Sequence, residues 1–311
     1  SSRRRHTRSC LKSRGLGDVY KRQVQGGIGT AREHQMLRET YGVDGAGWGS
    51  PFLLVPEVVS IDPESLERVR VAEEDDVHLS RSSPLGVPFW SLRNSTSEGR
   101  RIERIESGRP GSACPKGFLS SNTEFTRTEI CTASRPYQRQ KLAEIERTEM
   151  SDAQREDIRE EVLAKACICH DLAGGTAEPE EADVSTAVCC GPNTVYFSQI
   201  SSLQEMVDHI YGRRPLPVSP QRPHMFLTEL GLHLSRLRED LERRERGLRA
   251  GTEDACREAR KNLLEGIRHY RERVSQIVPD RRREFLGRLD RLKTDLERLL
   301  PTASEPTDDA R

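Results

Sequence analysis

The chain has 311 residues, 34% hydrophobic and 5% aromatic, with 50 Lys+Arg balancing 50 Asp+Glu. That length fits one large or two ordinary domains, and the low apolar share points to a modest packed part surrounded by exposed helices or loops. No run approaches the ~18 apolar residues that a membrane-spanning helix needs, so no membrane partner is expected.

Residues 1–23, SSRRRHTRSCLKSRGLGDVYKRQ, stand apart. Asp18–Gln23 is what the transposon end GAT GTG TAT AAG AGA CAG encodes, and Ser13–Gly17 and Ser2–Arg8 read through the flanking primer sites in the same frame. An Arg-rich segment of this kind also mimics a nucleic-acid arm or a transit peptide. The three in-frame matches favour translated sequencing adapter, so the segment is set aside as unstructured. It holds eight Lys/Arg and one Asp, which leaves 42 basic and 49 acidic groups, a net charge of −7. An acidic remainder carries no signal for a nucleic-acid partner. On this reading the authentic chain opens within a gene at Val24. Without Cys10 the cysteines number seven. An odd, scattered set fits a reducing, cytoplasmic compartment better than a disulfide framework.

Residues 24–59 are predicted as strand, Gly turn, helix, strand. Gly26-Gly27-Ile28-Gly29 makes the turn, Thr30 caps a helix carrying Met36 and Leu37, and Gly42 suits its C-terminal left-handed position. The apolar stretches around Val43–Gly47 and Phe52–Val55 are short and bounded by glycine, as buried parallel strands are. Residues 60–222 are polar and irregular, an α+β region. Helices are expected after Asp62-Pro63, with Leu66 and Val69 on one face, after the capping box at Ser151 to about Ala166, and after Ser202 to Gly212. Residues 213–223, RRPLPVSPQRP, read as a linker. Residues 223–300 repeat apolar positions every three and four residues: Leu227, Leu230, Leu234, Leu237, Leu241; then Leu263, Ile267, Tyr270, Val274, Ile277; then Phe285, Leu289, Leu292, Leu296, Leu299. Breaks at Gly247–Gly251 and Pro279 make this a three-helix bundle with narrow seams, suited to packing or to a homo-oligomer. Residues 301–311 read as a disordered acidic tail.

One motif carries chemistry. Gly26, Gly27, Gly29 and Thr30 open a helix directly after a strand, where N–H groups and the helix dipole favour a phosphate and glycine admits its oxygens. Gly49 and Ser50, after the next strand, offer further donors to the same anion. Residues 25–55, GGIGTAREHQMLRETYGVDGAGWGSPFLL at their heart, resemble the end of the FMN-binding aldolase-type barrel of nitronate monooxygenases (2-nitropropane dioxygenase-like proteins). The resemblance implies a fragment of a TIM barrel, its last two βα units, with Gly26, Gly27 and Gly29 in one phosphate turn, Gly49 and Ser50 in the other, and Phe52-Leu53 in the place of the family's Phe-Leu. It implies an FMN-dependent oxidoreductase acting on a small-molecule substrate, with most flavin contacts and the catalytic base upstream, so that this piece alone is inactive. The helix here is charged where the family's is Ala-rich, Trp48 and Pro51 are unusual, and the long C-terminal portion has no counterpart in the family.

The middle region holds Cys114, Cys131, Cys167, Cys169, His170, Cys189 and Cys190. Thiols beside Gly and Pro turns have the composition of a zinc or iron–sulfur site. The spacing matches no standard pattern, so buried structural cysteines, or a thiol assisted by His170 and Asp171, stand as alternatives. His34 reads as a surface residue, Asn94-Ser95-Thr96 as a chance glycosylation triplet, and Arg100-Arg101 and Arg213-Arg214 as solvated charge. Beside the flavoenzyme reading stand two others: a metal- or iron–sulfur-binding protein, and a helical interaction module without chemistry.

Overall fold

The computed structural model describes residues 21–114, 116–174, 185–248 and 251–299. The expectations for residues 1–20 and for the acidic tail 301–311 lie outside the described residues. The fold is mixed α/β and about 54% helical, so helices rather than its two small sheets supply most of the packing.

The chain begins as expected. Strand β1 (Gln23–Gln25) leads through the glycine turn to helix α1 (Ala31–Tyr41) and strand β2 (Gly45–Gly47). Thr30 starts α1 because its backbone is extended and its hydroxyl accepts the Glu33 N–H at 3.2 Å. Gly42 ends it in the left-handed conformation, φ +60°. The two strands pair in parallel, Gln23 opposite Gly45, Val24 opposite Ala46 and Gln25 opposite Gly47. Two readings are corrected here. The strand starts inside the segment set aside as adapter, and the Arg22 N–H donates to Asp44 Oδ2 at 2.6 Å. The apolar run after Gly49 is a 3-10 helix (Ser50–Leu54), not a strand. Pro51 at its start fits a helix entrance and would remove a donor from a ladder.

The middle region holds helices α2 (Pro63–Val71), α3 (Thr96–Glu106), α4 (Arg135–Arg147), α5 (Asp152–Leu163), the single turn α6 (Ile168–Asp171) and α7 (Leu203–Ile210), with an antiparallel pair β3 (Val77–Ser80) and β4 (Phe89–Leu92). The predicted caps are present. Asp62 Oδ1 accepts the Ser65 N–H at 2.8 Å, and Ser151 with Gln154 and Ser202 with Glu205 form reciprocal boxes. A core of Leu54, Val69, Leu92, Val188, Cys190 and Phe197 joins these elements to the 3-10 turn. Arg101, read as solvated, donates to Glu98 and to the Leu163 carbonyl.

The C-terminal region is helical as expected. Helices α8 (Met225–Glu245), α9 (Glu253–Glu272) and α11 (Arg282–Leu299) pack on one another, with the short α10 (Val274–Ile277) between the last two. The predicted seams face inward: Leu230, Leu234, Leu237, Leu263, Ile267, Leu289 and Leu296 are all buried. The bundle does not stand apart, however. Ile28, Met36 and Leu37 of the first segment lie in the same core as Phe226, Leu227 and Phe285. Nor is 213–223 a free linker. Leu216 is buried with Val55 and Met206, and Val218 bridges to Phe197.

Candidate anion site at the first glycine turn

Gly26 and Gly27 have φ of +98° and +71°, a region that side chains with a Cβ rarely adopt. Because β1 and β2 run in parallel, the turns after them, 26–29 and 48–50, leave the same edge of the pair. One loop touches both. Asn193 Nδ2 donates to the Ile28 carbonyl at 2.9 Å, and a Cβ on Gly191 would stand 2.5 Å from Ser50 Oγ. Gly26 and Gly49 face open space, with none of the described residues within 4 Å of an added Cβ.

Gly29 does not. Its N–H donates at 2.9 Å to Glu33 Oε2, a side chain only 4% exposed. Glu33 Oε1 accepts from the Met225 N–H at 2.9 Å and from Arg222 Nη1 at 2.8 Å. Arg222, itself buried, donates through Nε to Asn193 Oδ1 at 2.5 Å and through Nη2 to the Gly27 carbonyl at 2.6 Å. A Cβ on Gly29 would stand 2.5 Å from Arg222 Nε, so glycine is required where the guanidinium lies flat on the turn. Burial pushes the Glu33 carboxyl upward, but the Arg222 charge and hydrogen bond, assisted by the Gly29 N–H, outweigh it and hold the group ionised below its ordinary range. The anion that the start of α1 favours is thus supplied by the chain itself.

Two histidines complete the surroundings. His209 Nδ1 accepts the Leu216 N–H at 2.9 Å, which leaves the ring proton on Nε2 to donate to the Gly29 carbonyl at 3.0 Å. His224 caps α8, its Nδ1 accepting the Phe226 N–H at 3.3 Å. Burial, helped by the Arg222 and Arg281 cations against the pull of Glu33, pushes His224 down to about 4, so the ring is neutral. His34, read as a surface residue, accepts the Trp48 indole N–H at 3.1 Å.

The cysteines divide between two places: Cys114, Cys131, Cys167 and Cys169 lie near one another, whereas Cys190 lies in a separate core. Among the described residues no three His, Cys, Asp or Glu side chains are gathered as metal ligands. Cys190 is packed in the core of Val69 and Phe197, whereas Cys131 and Cys167 are buried near the Ser112–Ser134 bridge, and Cys189 is exposed. Cys114 and Cys169 lie near Cys131, a thiol that burial pushes up to about 11 and so keeps protonated. His170 Nδ1 instead meets Asp171 Oδ1 at 3.1 Å, and Asp171 Oδ2 accepts from Ser97 at 2.5 Å, tying α6 to α3.

Of the residues at the turn, Arg222, Asn193, His209 and His224 escaped sequence reasoning. Glu33 carried a signal, since Thr30-x-x-Glu33 has capping-box spacing, although its carboxylate reaches the Gly29 N–H rather than that of Thr30. Compared with protein-family models, curated proteins and solved structures, the chain matches none.

Proposed function

We propose that the chain is part of an FMN-dependent oxidoreductase of the nitronate monooxygenase type, with the two glycine turns directed at the flavin phosphate. The supporting observation is the parallel pairing of β1 and β2, which brings both turns to one edge. Open space beside Gly26 and Gly49 adds to it. Gly29 departs from the expectation, because its N–H already serves Glu33. The Gly26, Gly27 and Gly49 amides and the Ser50 hydroxyl are left to hold the phosphate, and the flavin, when bound, supplies a two-electron acceptor.

The test is to purify the longest natural protein that contains residues 24–299 and record its visible spectrum. A bound flavin is expected, lost in Gly27→Val and weakened several-fold in Ser50→Ala, which leaves the backbone unstrained. A colourless protein that takes up no added FMN overturns the reading. One observation favours a second reading, a helical interaction module without chemistry: the anion-preferring start of α1 already holds its own carboxylate, paired with Arg222. Colourless protein that self-associates through α8, α9 and α11 in analytical ultracentrifugation is the result expected of it.

A further inference from the structure

On the other flank of Glu33 and Arg222 lies a cleft of about 280 Å³ between the start of α1, the 222–227 segment, α10 and α11. Its floor is apolar, made by Leu227, Ile277 and Phe285, which belong to the main core. Its rim is cationic, and the ion pairs there do not balance. Arg222 is matched by Glu33, and Arg32 by Asp280. Arg281 and Arg288, by contrast, share one carboxylate, Glu284, at 2.7 and 3.2 Å. Among the described lining residues the cations thus outnumber the carboxylates, and Glu74, a further carboxylate in the neighbourhood of Arg288, is hydrogen-bonded to Tyr196. His224 also lines the cleft. Its Nδ1 is used by the Phe226 N–H, so the neutral ring carries its proton on Nε2 and is a donor.

We propose that this cleft is a binding site for a small organic carboxylate with an apolar tail, the tail on Leu227, Ile277 and Phe285 and the head among Arg288, Arg281 and the His224 ring N–H. An apolar floor with a few convergent donors is the usual build of a small-molecule site, and a planar guanidinium matches a carboxylate edge to edge. The site does not depend on the flavin reading, and its head and tail contacts involve none of Gly26, Gly27, Gly49 and Ser50, the residues left to the phosphate.

Isothermal titration calorimetry of the full chain with octanoate, butyrate and octylammonium tests it. Saturable octanoate binding is expected, butyrate weaker by several-fold for each methylene lost, and octylammonium without measurable binding. Arg288→Gln is expected to weaken octanoate about tenfold, and Arg288→Lys to recover part of that loss, since it restores charge without the planar fork. Melting temperatures of both variants report whether the fold is intact. Failure of octanoate to bind, equal binding of octylammonium, or full affinity in a folded Arg288→Gln variant each overturns the proposal.

Discussion

At the scale of single residues, the molecule is organised around charges and rings removed from water. Glu33 and Arg222 satisfy one another and three backbone groups, at Gly29, Gly27 and Met225. His224 beside them is half-buried and neutral. Its folded value, about 4, is depressed below the ordinary 6.5, so its contribution to stability is present above 6.5 and lost as pH falls toward 4. Glu33, also depressed, acts in the same direction below the ordinary carboxylate range. Unfolding free energies from urea titrations are therefore expected to fall between pH 6.5 and 4, by as much as about 3 kcal/mol for His224. His224→Gln, which cannot titrate, is expected to flatten that part of the profile; an unchanged slope refutes the assignment. Local chemistry at this scale was legible in the sequence. Thr30, Gly42, Asp62, Ser151 and Ser202 act within three or four residues of themselves, and each stands where its type predicts. Arg222 was not legible, because its carboxylate partner lies 189 residues away and no local pattern encodes that meeting.

At the scale of elements, periodicity carried the C-terminal helices. Their apolar positions recur at three and four residues, and those positions form the buried seams. Leu289, fully buried on α11, sits at the centre of this packing. Leu289→Ala is expected to destabilise the protein by about 2–5 kcal/mol, read as a shift in the urea midpoint, whereas the same change at Leu232, on the exposed side of α8, should move it little. Short apolar runs were less informative. Phe52–Val55 has the length and composition of a strand, but with Pro51 ahead of it the chain forms a 3-10 turn. The prolines of 213–223 exclude a helix but say nothing of burial, and Leu216 and Arg222 are both buried. Cysteine composition is ambiguous for a related reason. Thiols favour metal sites and apolar cores alike, and only their placement separates the two.

At the scale of the whole molecule, the beginning and end of the described chain share one core. Helix α1 contributes Met36 and Leu37, and the bundle contributes Phe226, Leu227 and Phe285. A division into an α/β piece and an independent helical bundle is thus not how the apolar surface is buried. The two parts are expected to unfold together. Hydrogen exchange should give α1 and α8 the same opening free energy, and calorimetry a single transition for that core. A bundle that remains protected after α1 has exchanged refutes this.

The link from Glu33 to the Met225 amide spans 192 residues and so imposes an order on synthesis. At the usual pace of translation, the start of α1 leaves the ribosome roughly 10–40 s before the residues that cover it. Through that interval Met36 and Leu37 have no partner helix, and the nascent chain carries a sticky patch that a chaperone is suited to shield.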